Sequence, residues 1–362
     1  NIFLRIFFIA LTFSPYLIMK ILHTADWHLG KRLDRFSRIE EQRAVMEEIV
    51  QITNDQKVDM VIVAGDLFDN FTPNTDAVEL FYKTLKQLSC EGKRPIVAIS
   101  GNHDSPKLID APDPLARECG IFLIGYPNAI VSPIKAETFE ITTSEEGFLE
   151  FRFEKYPYPL RILHTPYANE PRLKQELEGD KQVSISQLLS DKWHFLANTY
   201  CDSSGVNILT AHLFMQPKNG ETLEEPEGER PIRIGNADMI YTDTIPPQIQ
   251  YTALGHLHGF KNIGSEENPV VYASSPLSYS FSEAGQQKYV VVVEITPNQR
   301  PSFEKIPLTQ GKPLARKSFD NVPHALEWLR ENPNTWVELT LELKEYLKAQ
   351  ERKQLYSTHE GI

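Results

Sequence analysis

The sequence contains four short acid and histidine motifs, and each of them directly follows an apolar run of strand length. They are Asp26-Trp27-His28, Gly65-Asp66-Leu67-Phe68-Asp69, Gly101-Asn102-His103-Asp104 and Gly255-His256-Leu257-His258. A further apolar run ends at an isolated histidine, His212. Carboxylates, amide oxygens and imidazoles together hold two divalent metals about 3.5 to 4 Å apart in enzymes that cleave phosphoesters. The motifs therefore predict a binuclear metal hydrolase.

Seven side chains in these segments are predicted to bind the two ions. They are Asp26, His28, Asp66, Asn102, His212, His256 and His258. Asp66 is expected to bridge both ions, because Gly65 permits the tight backbone turn that brings a carboxylate between them. We expect His258 to join Asp26 and His28 on the first ion, and the remaining three side chains to hold the second.

His103 is the predicted catalytic residue. It is adjacent to Asn102, but its ring is expected to point at the substrate, where an imidazolium stabilises the transition state or protonates the leaving oxygen. Asp69 and Asp104 supply the carboxylates that are expected to orient and charge this histidine.

Each motif by itself also has an ordinary structural interpretation. A lone His-x-His is commonly a hydrogen-bonded pair, and Gly-Asp or Gly-Asn-His-Asp after a strand is compatible with a simple turn or loop. His23 and His164 also lie in strand-like runs, and we assign both to the core or to the surroundings of the site. What favours the metal site is the combination, since five strand ends each supply a suitable ligand type.

The balance of charge limits how the chain can meet nucleic acid. With 362 residues and a formal net charge of −12, it lacks the general basic surface that phosphate binding requires. A local DNA-binding path is predicted at Lys31, Arg32, Arg35 and Arg38. The alternative, that these residues form only the solvated start of a helix, stays open at this point.

The three cysteines, Cys90, Cys119 and Cys201, are odd in number and scattered. This spacing supports neither a disulfide framework nor a thiolate zinc site. We therefore expect a reducing compartment, the cytoplasm.

The length predicts one large and one small domain. Residues 1–18 are apolar and resemble a signal sequence or short membrane span, but Pro15 interrupts them and no small-residue cleavage site follows. We expect this extension to lie outside the fold and expect no membrane association. Residues 19–310 are predicted to form the large domain and residues 311–362 part of a small one, within which the chain ends.

Apolar runs alternate with helical patterns in the first part of the chain, which predicts βαβ units around a buried parallel sheet. The predicted strands lie at 20–24, 58–64, 95–100, 121–124, 206–213, 250–254, 270–274 and 289–295. The predicted helices lie at 39–56, 75–88 and 182–200. We expect antiparallel strands within 130–165 and a long acidic loop over 215–235. In the small domain we expect a helix at 324–329, a strand at 335–343 and a charged helix at 344–356.

The ordered motif set resembles the calcineurin-like metallophosphoesterase superfamily, whose pattern is DxH, GDxxD, GNHD/E, a distant H and GHxH. Within it, the chain resembles the nuclease subunits of double-strand-break repair complexes. The segments that narrow the resemblance are 23–30, 64–69, 251–258 and Ser275-Pro276-Leu277-Ser278-Tyr279-Ser280-Phe281-Ser282-Glu283. The resemblance runs from about Met19 to the end of the chain.

The resemblance implies a four-layer α/β fold, with central mixed β sheets flanked by helices, and a small α/β capping domain from about Arg316 that helps to hold DNA. It places the family's metal ligands on the seven side chains above and its catalytic histidine on His103. Archaeal and eukaryotic members carry a second histidine where this sequence has Asp69. The family's metal is preferentially Mn²⁺, with Mg²⁺ also possible.

The resemblance further implies 3′ to 5′ exonuclease action on double-stranded DNA and endonuclease action on single strands and hairpins. Both depend on an SMC-like ATPase partner, whose binding segment in the family lies beyond Ile362. Homodimerisation is expected through Phe71 to Leu88 and Ser105 to Arg117. The alternatives are another phosphoesterase of the superfamily or a noncatalytic DNA-binding subunit. The chain lacks the GDxVDRG and GNHE motifs of protein phosphatases, and the complete ligand set opposes loss of catalysis.

Overall fold

The computed structural model describes residues 17–173, 181–217, 223 and 240–362. The predicted apolar extension and the predicted acidic loop therefore fall largely outside the described residues. Within those residues, no helix is both long enough and apolar enough to cross a membrane.

The chain folds into strands and helices, which are numbered here in chain order. The strands are β1 Met19–Thr24, β2 Arg32–Leu33, β3 Phe36–Ser37, β4 Met60–Ala64, β5 Ile96–Ile99, β6 Ile121–Ile124, β7 Phe139–Glu145, β8 Phe148–Phe153, β9 Leu160–Thr165, β10 Val206–His212, β11 Met215–Gln216, β12 Ile240–Tyr241, β13 Tyr251–Gly255, β14 Lys261–Asn262, β15 Val270–Tyr272, β16 Tyr289–Ile295, β17 Ser302–Pro307, β18 Leu314–Phe319 and β19 Trp336–Leu341. The helices are α1 Ile39–Asp55, α2 Thr75–Leu88, α3 Pro106–Asp110, α4 Asp113–Ala116, α5 Glu170–Leu173, α6 Lys181–Tyr200, α7 Val322–Glu331 and α8 Ala349–Thr358.

Two mixed sheets form the centre of the molecule. The first has the strand order β17-β16-β1-β4-β5-β6, and its last four strands are parallel. The second has the order β14-β15-β13-β10-β9-β8-β7, with β15, β13, β10 and β9 parallel. Parallel strands end at the same edge of a sheet, so the loops that follow them gather there.

The sheets and helices make four layers. Ile62 of the first sheet and Ile208 of the second belong to one buried cluster between the sheets. Val61 packs outward with α1 and α2, and Leu209 packs outward on the opposite side with α6. The buried runs of β4 and β10 arise because each strand is covered on both faces.

Helix α2 illustrates how the sequence sets an outer layer. Ala77, Leu80, Phe81 and Leu85 recur at helical spacing and are buried, so one face packs on the sheet. The Asn74 side chain accepts a hydrogen bond from the Ala77 N–H at 2.9 Å, an N-cap that contributes about 1 kcal/mol.

The four-layer α/β fold is confirmed, but three local predictions were incomplete. Strand β9 is antiparallel to β8, as predicted, yet it pairs in parallel with β10 on its other side. Strands β17 and β18 were not predicted, because their exposed residues give weak apolar patterns. The last helix begins at Ala349 rather than at 344.

The C-terminal residues form a small α/β unit of β18, α7, β19 and α8. The two strands are parallel, and Val322, Leu326, Leu329, Val337 and Leu355 form its own buried cluster. A second cluster of Leu33, Leu314 and Trp336 joins this unit to the β2–β3 hairpin.

Candidate metal centre

The predicted ligands converge where the carboxyl ends of the two sheets meet. Asp26 and His28 follow β1, Asp66 follows β4, Asn102 follows β5, and His256 and His258 follow β13, while His212 is the last residue of β10. The N–H groups of Asp26 and His28 donate to the carbonyls of Gly65 and Asp66 at 3.0 and 2.9 Å. The loops after β1 and β4 are thus tied together by the main chain.

Asp66 lies between two groups of possible ligand atoms. One group is Asp26, His28 and Asp66, and the other is Asp66, His212 and His256. Asp66 Oδ2 is 3.6 Å from His28 Nε2 and 3.3 Å from His212 Nε2. This position matches a carboxylate that bridges two ions.

Two further contacts complete the arrangement. His258 Nε2 lies 3.1 Å from His28 Nε2. Asn102 Oδ1 lies 2.9 Å from His212 Nε2. The structure therefore brings together the seven side chains that the sequence selects, and all of them are buried.

The chemistry of this donor set fits divalent cations. His212 Nδ1 is 2.9 Å from the Ala64 carbonyl, which can only accept, so Nδ1 carries a proton. A neutral His212 then turns the Nε2 lone pair towards the oxygens of Asn102 and Asp66. Asp26 Oδ2 is buried and has no hydrogen-bond partner in the part of the chain that the structure describes. Clustered lone pairs of this kind are stabilised only by a proton or a cation.

The pKa values of Asp26, Asp66 and His212 are shifted because these groups are buried close to one another. Burial raises the pKa of Asp26 to about 7, although His212 and His258 oppose the shift. Burial alone would also raise the pKa of Asp66, but His212 and His28 hold it well below its usual range. Burial lowers the pKa of His212, yet the Asp66 and Asp26 carboxylates outweigh it and raise the value to about 9. A proton on His212 and a divalent cation are therefore alternative ways to balance Asp66.

The backbone at the site adopts an unusual conformation. Asp26, His28, Asp66 and His256 have φ values of 54°, 43°, 48° and 110°, a region that side chains with a Cβ atom rarely occupy. Such strain persists only where surrounding contacts fix it, and it is common at functional sites. Gly65 has φ +92°, and a Cβ atom there would lie 2.2 Å from His212 Nδ1. Glycine is thus required for the approach of His212.

His103 is beside this centre, but its contacts differ in part from those expected. Its N–H donates to Asp66 Oδ1 at 2.9 Å, and its Nδ1 is 2.8 Å from the main-chain carbonyl of Asp69. The Asp69 carboxylate, which was expected to make that contact, instead lies 3.4 Å from Lys31 Nζ. An Asp69 carboxylate oxygen still lies within 4.8 Å of ring nitrogens of His28 and His103.

The Asp104 carboxylate bonds main-chain N–H groups of two loops rather than the His103 ring. It accepts from the N–H groups of Leu67, Phe68 and Gly101 at 3.0, 2.8 and 2.7 Å. It therefore fixes the loop after β4 against the loop after β5. Its effect on His103 passes through the loop that carries this histidine.

The predicted basic path divides into surface and buried residues. Arg32 and Arg35 are exposed and Lys31 is half-buried near Tyr279, whose ring centroid is 5.9 Å from Nζ. Arg38 is 1% exposed, and it pairs with Glu41 at 2.6 Å and donates to the Ser278 carbonyl at 3.0 Å. The prediction that Arg38 contacts DNA was wrong, because a guanidinium buried among these partners cannot reach a phosphate.

A buried ion pair that was not predicted from the sequence lies behind His258. Glu283 Oε1 is 3.1 Å from His258 Nδ1, and Lys288 Nζ donates to Glu283 Oε2 at 2.5 Å. A carboxylate at Nδ1 fixes the tautomer that leaves Nε2 for a metal. Glu283 is the last residue of the 275–283 segment that carried the family resemblance, which was the available signal.

His23 and His164 are core residues. His23 Nδ1 is 3.0 Å from the Tyr251 hydroxyl, and burial lowers the pKa of each histidine to about 3. Both rings are therefore neutral in the folded chain.

The fold and the paired ligand groups define a metal-dependent phosphodiesterase. The family model for calcineurin-like phosphoesterases matches residues 19–258. The SbcD subunit of the nuclease SbcCD from Bacillus subtilis (strain 168) is 35% identical over 347 residues, which cover 95% of this chain and 84% of that protein. The chain thus belongs to the calcineurin-like phosphoesterases and, among them, to the SbcD nuclease family.

Solved structures give more distant likenesses. A putative 5′-nucleotidase from Staphylococcus aureus is 10% identical with a TM-score of 0.44, and the match covers 94% of this chain and 58% of that one. A dimetal phosphatase from Danio rerio is 11% identical with a TM-score of 0.42, and the match covers 80% and 99% of the two chains.

Proposed function

We propose that the chain is the nuclease subunit of an SbcCD-type complex and that it cleaves DNA phosphodiesters with two divalent cations, Mn²⁺ or Mg²⁺. The observation that carries the proposal is the position of Asp66 between the two ligand groups. The 35% identity to the SbcD subunit of the Bacillus subtilis nuclease supports a nucleic acid as the substrate, and the family resemblance implies DNA.

In this proposal Asp26, His28 and His258 would hold one ion, Asn102, His212 and His256 would hold the other, and Asp66 would contribute to both. When bound, two divalent cations would supply Lewis-acid chemistry, which activates a water and neutralises charge on phosphate oxygens. His103 stabilises the transition state or protonates the leaving oxygen. The Asp69 carbonyl at Nδ1 keeps a proton on that nitrogen and so orients the ring.

DNA would reach the centre past the exposed Arg32 and Arg35 and the half-buried Lys31 of the basic path. Arg35 also donates to the Ile362 carbonyl at 2.6 Å, so this path continues into the C-terminal unit. We propose that residues 19–310 form the nuclease domain and that residues 311–362 belong to the capping domain, which helps to hold DNA. The proposed activities are 3′ to 5′ exonuclease action on duplex ends and endonuclease action on single strands and hairpins.

The proposed partners are an SbcC-type ATPase and a second copy of the chain, acting in the cytoplasm at the nucleoid. Support for the dimer comes from apolar side chains on the expected surface. Phe71, Tyr82, Leu108 and Leu115 are 46%, 36%, 37% and 79% exposed. Large exposed apolar side chains mark a protein interface where they lie together on the surface.

The test is degradation of an end-labelled DNA hairpin and a duplex in Mn²⁺, with and without SbcC and ATP. We expect degradation by the wild type, and its loss in His103→Leu and Asp66→Ala while circular dichroism shows a folded chain. His194→Leu, on α6 and bonded to the Ser190 carbonyl, is the matched control and should retain activity.

Three results would contradict parts of this proposal. Full activity of His103→Leu would remove the assigned role of His103. Cleavage of small phosphoesters without cleavage of DNA would favour another phosphoesterase. Binding of DNA without any cleavage would favour a noncatalytic role.

A further inference from the structure

Arg172 is a buried arginine beside the metal centre that the proposed chemistry leaves without a role. It lies in α5 and is 7% exposed. Its Nη1 donates to the Gly101 carbonyl at 2.8 Å and its Nη2 to the Asp104 carbonyl at 2.7 Å. One planar group therefore holds both ends of the 101–104 loop.

The 101–104 loop carries Asn102, a proposed metal ligand, and His103. The N–H of His103 donates to Asp66 at 2.9 Å, and the N–H of Gly101 donates to Asp104 at 2.7 Å. A small rotation of this loop would move the His103 ring and Asn102 Oδ1 together. Reacting groups displaced by about 1 Å lose about 100-fold in rate.

The orientation of Arg172 is itself fixed by its neighbours. Its guanidinium lies 4.8 Å from the centroid of the Tyr167 ring, and the Tyr167 N–H donates to the Ser100 carbonyl at 2.9 Å. The main-chain N–H of Arg172 donates to Asn169 Oδ1 at 3.0 Å, and this bond caps the short helix. Arg172 thus contacts the loop from a position that several contacts define.

The geometry requires an arginine rather than any cation. Two nitrogens of one rigid plane bond two carbonyls, whereas a lysine ammonium is a point charge on a flexible stem. Lysine at this position would keep a positive charge near Asp104 and Asp66 but could not span the loop. A comparison of arginine and lysine at position 172 therefore distinguishes a positioning role from a purely electrostatic one.

We infer that Arg172 is a positioning residue that clamps the 101–104 loop and so sets the placement of His103 and Asn102 for catalysis. The inference rests on the proposed function. Loss of the clamp lowers the rate of the chemical step and leaves substrate binding nearly unchanged.

The experiment compares Arg172→Ala and Arg172→Lys with Arg161→Ala, under saturating Mn²⁺ and with the labelled hairpin as substrate. Arg161 is a matched control, because it is also buried, at 6% exposure, but bonds Glu150 and Asp202 at 2.9 and 2.8 Å. For both Arg172 variants we expect kcat to fall about 10- to 100-fold with little change in KM. Millimolar guanidinium should restore part of the activity of Arg172→Ala, and Arg161→Ala should keep the wild-type kcat.

An Arg172→Ala variant with wild-type kcat would overturn the inference. An equal loss in Arg161→Ala, without rescue by guanidinium, would overturn it as well, since it would reveal general destabilisation. If Arg172→Lys kept the wild-type kcat, the positioning role would be refuted, because a positive charge alone would then be sufficient. A folded wild-type chain that cleaves no DNA would instead refute the proposed function, and the two failures are thus distinguishable.

Discussion

The Nε2 atoms of His28 and His258 lie 3.1 Å apart, although the two histidines follow strands of different sheets. His28 follows β1 of the first sheet and His258 follows β13 of the second. The proposed first metal position therefore exists only when the two sheets are packed. Metal binding and the packing of the sheets should be thermodynamically coupled.

Removal of divalent metal should lower the stability of the chain. A ligand that binds only the folded state at about 100 times its Kd stabilises it by about 2.7 kcal/mol. We expect Mn²⁺ to raise the melting temperature above that in EDTA, as measured by scanning calorimetry. Asp66→Asn should lose most of this response, and an identical response in that variant would contradict the shared position of Asp66.

Gly65→Ala should disrupt the site beyond ordinary backbone strain. The added Cβ would lie 2.2 Å from His212 Nδ1, whereas at Gly285, with a similar φ of +82°, nothing lies within 4 Å. Gly285→Ala should therefore cost only the backbone strain of about 1–2 kcal/mol. Urea unfolding and Mn²⁺ titration should show a larger loss of stability, and weaker metal binding, in Gly65→Ala alone. Equal effects would show that His212 can move aside.

Glu283→Gln should destabilise the chain, because it leaves the buried Lys288 ammonium without its carboxylate. Glu283 and Lys288 are 3% and 5% exposed, and breaking such a pair costs about 3 kcal/mol or more. Glu266→Gln removes an exposed pair with Arg300 and should change the free energy of unfolding by less than about 1 kcal/mol. Similar values for the two variants would contradict the importance of the buried pair.

The same pair predicts a pH dependence. Burial alone would raise the pKa of Glu283, but His258 and Lys288 outweigh it and lower the value from 4.5 to about 2. A carboxyl with a lowered folded-state pKa stabilises the fold fully above its unfolded value. The stability difference between wild type and Glu283→Gln should therefore be constant above about pH 4.5 and shrink as the pH falls towards about 2. Urea unfolding at several pH values measures it.

Arg38→Ala and Arg32→Ala should have different effects. Arg38 is buried against Glu41 and Ser278, so its loss should cost about 3 kcal/mol of stability. Arg32 is exposed, so its loss should leave stability nearly unchanged and weaken DNA binding with a smaller salt dependence. Fluorescence anisotropy at several salt concentrations tests the second outcome. Unchanged binding by Arg32→Ala would remove Arg32 from the DNA path.

Cys201 should be unreactive in the folded chain. Burial raises the pKa of its thiol to about 12, and thiolate is the reactive form. Cys90 and Cys119 are exposed. Mass spectrometry after brief iodoacetamide treatment should find Cys90 and Cys119 modified, and Cys201 modified only in denaturant. Modification of Cys201 in the native state would indicate local opening of the C-terminal end of α6.

The sequence predicted most strands and helices of the large domain because their patterns are local. Buried strands such as β4 are continuous apolar runs, and helices such as α2 show apolar residues at helical spacing. It missed β17 and β18, because both strands are mostly exposed and show neither a continuous apolar run nor a regular alternation. The parallel pairing of β9 with β10 was also not predicted, since strand pairing is a contact between residues distant in sequence.

For the candidate site, the ligand types and their order along the chain can be read from the amino-acid sequence, because the chemistry of each side chain is a local property. Which atoms meet depends on the tertiary structure. In the folded chain the main-chain carbonyl of Asp69, and not its carboxylate, contacts His103, and Arg38 is buried. Glu283 and Arg172, which are distant in sequence from most of the ligands, reach the site only through folding. Burial and hydrogen-bond partners depend on how the two sheets pack, and no single segment encodes that packing.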